Sequence, residues 1–408
     1  MIEDIRNHLA AHDRRLSFLF GAGTSSSINI APAPAAGQKP KHEPLIPGIE
    51  ALTEVCGAAV GALGTTQAAA WSALVKQCEQ NGRRADVEGV LSRVRIKIDA
   101  IGDGETLVGL GRDQLVAIES TICSAIAKKA NPPEDKIPIR TPHGDFASWI
   151  KKVNRTAPLE IFTTNYDILL ERAFEASRVA VFDGFVGTHC PFFYPECLED
   201  DALLPTPRWV RLWKLHGSVS WRLQDEGKDK PKRIVRSQPA ESGEMILPSN
   251  RKYDESRKQP YVAYMDRLSR ILNAEHALLV AVGCGFRDEH INSLLFGALD
   301  NRSTANVIAL QFEELKESDE IVQVALRLSN LTVIGPSGGV ISGVRGSWKL
   351  TQPVDNKTSS FMDAGFDSNA LPENEGSPAA ETEDLKGRMR LGDFYWFGRF
   401  LDAMRPDV

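Results

Sequence analysis

The stretch that most constrains this chain is Leu16-Ser-Phe-Leu-Phe20, which runs directly into Gly21-Ala-Gly-Thr-Ser-Ser-Ser27. So short an apolar run has the length of a buried strand, and it breaks into a Gly-x-Gly turn followed by small hydroxyl residues suited to a helix start. Strand, glycine turn and helix in that order make a phosphate-binding geometry. Glycine lets the backbone approach a pyrophosphate, and the free N–H groups and positive dipole end of the helix stabilise its charge. The fuller G-x-G-x-x-G pattern stops at Ser26, so the turn alone also fits plain architecture.

Later stretches repeat the strand-then-turn arrangement. In Leu159–Phe174 a strand predicted to end at Thr163 hands over to Thr164-Asn165-Tyr166-Asp167, and a helix follows with Ile168, Leu169 and Phe174 toward the sheet. Polar side chains at the end of a parallel strand enter the crevice where such sheets bind ligands. Asn165 suits ribose hydroxyls or a water, while Asp167 reads either as a ligand contact or as a helix cap. In Val210–Trp221 an alternating strand delivers His216 into Gly217-Ser218. An imidazole there is matched to proton transfer near neutral pH, although a structural histidine would read the same way. Ala277–His290 gives another buried strand, a second glycine pair at Gly283 and Gly285, and a helix beginning near Asp288, itself a cap or a ligand contact. Strands near 305–310 and 331–335 with a helix near 317–329 complete the alternation. The fold class expected is α/β, a doubly wound, mostly parallel, Rossmann-like sheet.

The rest of the chain divides around that core. Residues 1–30 form its first part, after an amphipathic helix carrying Ile2, Ile5 and Leu9. The Pro- and Ala-rich segment 31–48 reads as a flexible loop, either a surface insertion or a lid over a ligand. Residues 49–154 read as an inserted helical module, and 155–350 as the remainder of the core. The loop-rich 180–208 segment carries Phe182, Phe185, Phe192, Phe193 and Tyr194, which wall a pocket or plug an irregular core, and the highly charged 224–258 segment reads as a solvent-exposed excursion. Residues 351–388 shift to Asp, Asn, Ser, Glu, Pro and Gly and read as a mobile linker. Residues 389–408 are an aromatic tail expected to dock onto its own core or a neighbouring copy.

Composition limits the partners. A formal charge of -6 argues against strongly electrostatic nucleic-acid binding, so no direct nucleic-acid contact is expected. The six cysteines are scattered without any C-x-x-C pair, which points to free cytoplasmic thiols and to no metal site. No leader peptide is read at Met1-Ile-Glu-Asp-Ile-Arg, and no apolar run approaches the roughly 20 residues of a membrane helix, so no membrane partner is expected.

Gly21-Ala-Gly-Thr-Ser, Thr163-Thr-Asn-Tyr-Asp167, Leu215-His-Gly217 and Val282-Gly-Cys-Gly-Phe286 together resemble the NAD-binding core of sirtuins, in order and in strand-end setting, over roughly 15–30 and 155–335. The resemblance implies that Gly21, Ala22, Gly23 and Thr24 take the NAD pyrophosphate side. It places Asn165, with Thr164 and Asp167, near the nicotinamide ribose, makes His216 the general base, and sets Gly283, Gly285 and Phe286 by the adenosine half. Sirtuins that deacylate lysine carry Gly-Ile-Pro-Asp-Phe-Arg soon after the first turn and a four-cysteine zinc module. Here Ile28-Asn-Ile-Ala-Pro32 stands in that place and such cysteines are missing. The chain is more similar to the bacterial sirtuin-like proteins of anti-phage defence, which cleave NAD to nicotinamide and ADP-ribose. It is most similar to the stand-alone type that assembles with a HerA-type hexameric ATPase. By that resemblance NAD is a substrate rather than a recycled cofactor, a homo-oligomer and a HerA-type partner are expected, and depletion of NAD is abortive infection. A non-hydrolysing NAD or nucleotide sensor and a structural scaffold of a nucleic-acid-processing assembly remain as alternatives; a protein deacylase ranks last.

Overall fold

The computed structural model describes residues 1–32, 41–80, 85–224, 227, 233–239, 259–302, 304–348, 360–368 and 387–404. Part of the 31–48 loop, most of the 351–388 linker and most of the charged 224–258 segment therefore lie outside the described residues.

The strands are, in chain order, β1 Leu16–Phe20, β2 Glu160–Thr163, β3 Val181–Phe182, β4 Phe185–Val186, β5 Phe192–Phe193 and β6 Val210–Lys214. They continue with β7 Trp221–Gln224, β8 Arg233–Arg236, β9 Leu278–Val282, β10 Asn306–Leu310, β11 Leu331–Ile334, β12 Gly338–Ile341 and β13 Val344–Ser347, and end with a separate antiparallel pair, β14 Phe366–Asp367 and β15 Arg388–Met389. Among the described residues one sheet has nine strands in the order β13-β12-β11-β10-β9-β1-β2-β6-β3. All of its pairs are parallel except the edge pairs β11–β12 and β12–β13. The expected doubly wound, mostly parallel α/β sheet is thus what forms. Every residue of β1, β2, β6 and β9 is buried, because a parallel strand covered on both faces has no solvent side.

Alternate residues feed the two faces. Leu19, Phe162, Trp213, Leu279 and Ala281 pack with the helices Tyr261–Leu272, Glu289–Asn301 and Glu320–Arg327. Phe18, Phe20, Ile161, Leu212 and Val280 pack with the helices Ile2–Ala10, Pro142–Lys152, Leu169–Ala176 and Phe394–Ala403. Below the first face, the Glu160 carboxylate accepts from Arg211 Nη1 at 3.0 Å, Trp213 Nε1 at 2.8 Å and Arg267 Nε at 2.9 Å. Buried charge is tolerated there because each carboxylate oxygen has a donor.

Four helices, Ile49–Gly61, Thr65–Gln80, Val87–Ala100 and Arg112–Ala130, close a core of their own around Val60, Leu74, Leu91, Leu115 and Ile118. This unit meets the sheet through Tyr166, which packs on it, and through Ala127 and Ala130 against Val219. Pro142–Lys152 belongs instead to the sheet layer, with Phe146, Ala147 and Trp149 buried there. The 185–236 region adds a small antiparallel sheet, β4-β5-β8-β7. Its two- to four-residue strands are too short to show a period of two in the sequence.

From β1 the chain moves to β2 and β6 on one side, and it later returns to β9 and β10 on the other. The reversal between β1 and β9 is a topological switch point, and the crevice beyond the carboxyl ends of those strands is where open α/β sheets hold ligands.

Candidate active site

The register of the sheet brings the glycine turns and the polar turns to one level. Phe20 is level with both Thr163 and Val282, and Thr163 is level with Lys214. The ladder continues one residue further, with Gly21 N donating to Val282 O at 3.1 Å, Thr164 N to Phe20 O at 3.1 Å and Leu215 N to Thr163 O at 2.8 Å. Asn165 and His216 each stand two residues beyond a register pair on neighbouring strands.

The two glycine turns interlock. Gly23 N donates to Gly283 O at 3.0 Å. A Cβ on Gly21 would lie 2.5 Å from Gly283 O, one on Gly23 2.6 Å from Gly283 Cα, and one on Gly283, whose φ is +66°, 2.5 Å from Thr24 N. These three glycines are required by the contact between their own loops, whatever ligand lies outside. Ala22 is exposed at the head of the helix Ala22–Ser26, and among the described residues its N–H meets no acceptor. Gly285 is exposed, and a Cβ there would meet only the Arg287 side chain, at 3.3 Å. Phe286 holds a left-handed φ of +50°, and its carbonyl accepts from Asn292 Nδ2 at 2.8 Å. A bulky residue in that region is a strained position, sustained by its surroundings. Between the second glycine pair, Cys284 is pushed up to about 12 by burial, and its Sγ lies 3.3 Å from Leu19 O, so it is an inert thiol.

The Asn165 amide faces the first turn. Its Nδ2 lies 3.1 Å from Gly21 O, 3.0 Å from Thr24 Oγ1 and 2.8 Å from Ser25 Oγ. Gly21 O can only accept, which fixes the amide with nitrogen toward the loop. Thr24 Oγ1 donates to Gly21 O at 2.9 Å, and Ser25 Oγ donates to Asp167 Oδ2 at 2.6 Å. Both hydroxyls therefore keep a lone pair for Asn165. Asp167 Oδ1 accepts from Leu169 N at 3.0 Å, so this carboxylate both ties the helix start and anchors Ser25. Thr24 and Asp167 act on the loop's shape, while Thr164 is half-buried with its backbone in the ladder. Below them Lys214, almost wholly buried, donates to Asp167 O and to Glu171 Oε1. Burial raises the Glu171 carboxyl although Lys214 pulls it down.

His216 follows β6 in a turn held by Val219 N donating to Tyr166 O at 2.9 Å. Its ring lies 6.5 Å from that of Tyr166, tilted by 33°. Asp288 Oδ2 stands 3.1 Å from His216 Nε2, with each side chain 14% exposed. The other oxygen, Oδ1, caps the helix Glu289–Asn301 by accepting from His290 N at 3.0 Å and Ile291 N at 3.1 Å. Sequence alone left Asp288 as cap or ligand contact; it is a cap and a histidine partner. Ser25 was legible only as part of a hydroxyl run, and nothing local marks the Asp288–His216 pair, whose members are joined by folding.

Among the described residues no group of three His, Cys, Asp or Glu side chains is placed to hold a metal ion, and no helix is long and apolar enough to cross a membrane. Residues 159–334 match the family model of the SIR2-like domain. The match supports a sirtuin-like protein and takes in Asn165, His216 and the Gly283 turn, while the Gly21 turn that packs against Asn165 and the Gly283 turn precedes it. The comparison with curated proteins gives no match.

Proposed function

We propose that this chain is an NAD glycohydrolase, with NAD as substrate and nicotinamide and ADP-ribose as products. The observation that carries the reading is that Asn165 and His216 each stand two residues beyond the level pair Thr163 and Lys214 of neighbouring strands, beside interlocked glycine turns at the switch point, with residues 159–334 matching a SIR2-like domain. SIR2-like domains use NAD. The exposed Ala22 amide and Gly285 are the backbone positions open to the dinucleotide.

In this reading the bond between the nicotinamide nitrogen and ribose C1′ breaks with its electrons going to the ring. Nicotinamide then leaves as a neutral molecule from an oxocarbenium-like ribose. A water oxygen bonds to C1′, and its proton passes to His216 acting as general base. Asn165, with its NH2 committed to the loop, presents its Oδ1 to the ribose or the water and keeps the loop in register with the reacting end. The products sum to NAD plus one water. The resemblance to the stand-alone defence type extends the reading to a cytoplasmic homo-oligomer that assembles with a HerA-type ATPase and depletes NAD as abortive infection.

The test is release of nicotinamide and ADP-ribose from NAD by the purified chain and by the chain co-expressed with a HerA-type ATPase, beside folded His216→Ala and Asn165→Ala. Release by wild type that falls about 10²- to 10⁴-fold in His216→Ala supports the assignment. Tight NAD binding with no release in either setting would replace it with the sensor reading.

A further inference from the structure

We propose that Asp288 is the positioning residue of His216, fixing its tautomer and ring orientation for the reaction; the inference rests on the hydrolase reading above. Asp288 Oδ2 stands 3.1 Å from Nε2; since a carboxylate only accepts, a hydrogen bond between them puts the proton of the neutral ring on Nε2 and its basic lone pair on Nδ1. The carboxylate is itself fixed. Its Oδ1 holds the amides of His290 and Ile291, so the first turn of the Glu289–Asn301 helix sets where Oδ2 points. Helix, carboxylate and imidazole make one rigid chain from the β9 turn to the β6 turn across the crevice. The same Asp288 oxygen stabilises the imidazolium that forms when the ring takes a proton from the attacking water. The only proton transfer is from water to Nδ1, and Asp288 stays ionised throughout.

Asp288→Asn is the discriminating variant. Asparagine caps a helix as well as aspartate, and it fills the same volume, but it turns an NH2 group toward Nε2. The ring then answers with the opposite tautomer, its proton on Nδ1. In 15N-labelled protein, long-range proton–nitrogen spectra read the two tautomers directly and need no turnover. The expected result is Nε2 protonated in wild type and Nδ1 protonated in Asp288→Asn, with kcat for nicotinamide release down about 10²- to 10⁴-fold and KM for NAD within about threefold. Asp288→Ser, which keeps a cap but cannot reach the ring, is the second variant should Asn fold poorly, and the same loss of kcat is expected. An unchanged tautomer, or a kcat within about threefold of wild type, overturns the assignment. So does a higher kcat, which would make the contact a latch holding the ring away. Absence of turnover in wild type, alone and with its partner, would defeat the hydrolase reading instead, and the ring spectra would still decide whether Asp288 sets His216.

Discussion

His143 lies in the first turn of the Pro142–Lys152 helix, 2% exposed, with the Phe394 ring 5.0 Å away edge-on. Among the described residues its Nδ1 has no hydrogen-bond partner. Burial pushes the imidazole down from 6.5 to about 4, against the pull of the Asp167 charge. The sign follows from proton binding. Between 6.5 and about 4 the unfolded chain takes up a proton that the native chain refuses, so stability falls as pH is lowered through that window. The loss is on the order of 3 kcal/mol at the acid end. Carboxyls whose values desolvation raises, such as Glu171, Asp183 and Asp393, act in the opposite direction, so the difference between wild type and a His143 variant isolates this residue. His143→Leu is expected to match wild type near pH 7 within about 1.5 kcal/mol. It should exceed wild type by an amount growing toward pH 4.5, measured as urea midpoints. Parallel pH curves for the two proteins would show that the native histidine takes up its proton as readily as the unfolded one.

At the scale of elements, the glycine turns divide into those that hold the loops together and those that face outward. Gly283→Ala must relieve a positive φ and a 2.5 Å approach to Thr24 N, and since backbone cannot swing aside like a side chain, a loss of about 2 kcal/mol or more is expected. Nicotinamide release should fall with it, because Asn165 reads the Gly21–Ser25 loop on which Gly283 packs. Gly285→Ala meets only the end of the Arg287 side chain at 3.3 Å and should melt within about 0.5 kcal/mol of wild type. A raised KM in that variant alone therefore reports ligand approach. This split shows what the sequence can and cannot carry. Strand, turn and helix were legible at Phe20, Thr163, Lys214 and Val282, since a buried run ending in glycine or polar residues leaves a local pattern. The parallel sheet followed from their alternation with helices. Which way each turn residue faces was not legible. Thr24 and Asp167 turn inward, and Asp288 meets His216, because these contacts depend on the register of strands brought together from distant parts of the chain. The β4-β5-β8-β7 sheet was missed because two-residue strands have no period to read.

At the scale of the whole molecule, the last helix is part of the first strand's packing. Phe394 lies 5.1 Å from Phe20 and Phe397 6.2 Å from Phe18, ring to ring, and Phe394, Phe397, Phe400 and Leu401 are all buried. The approach is equally tight. Gly392 passes so close to the end of β10 that a Cβ would stand 1.9 Å from Gln311 O, and Asp393 caps the helix through Tyr395 N at 2.9 Å. Trp396 is covered by Arg390, whose guanidinium sits 4.2 Å from the ring centre, which leaves Tyr395, 36% exposed, as the aromatic of this helix most open to solvent. An aromatic tail packed in this way acts on the stability of the folded chain rather than on attachment to a neighbouring copy. Phe394→Ala opens a cavity against β1 and the Pro142–Lys152 helix, and a loss of about 3 to 5 kcal/mol is expected. That loss should be the same at low and high protein concentration, because both sides of the contact belong to one chain. Urea unfolding across a hundredfold range of concentration checks it. A loss that shrinks as the protein is concentrated would show that the helix instead stabilises an assembly, and the dependence would give the number of chains that share it.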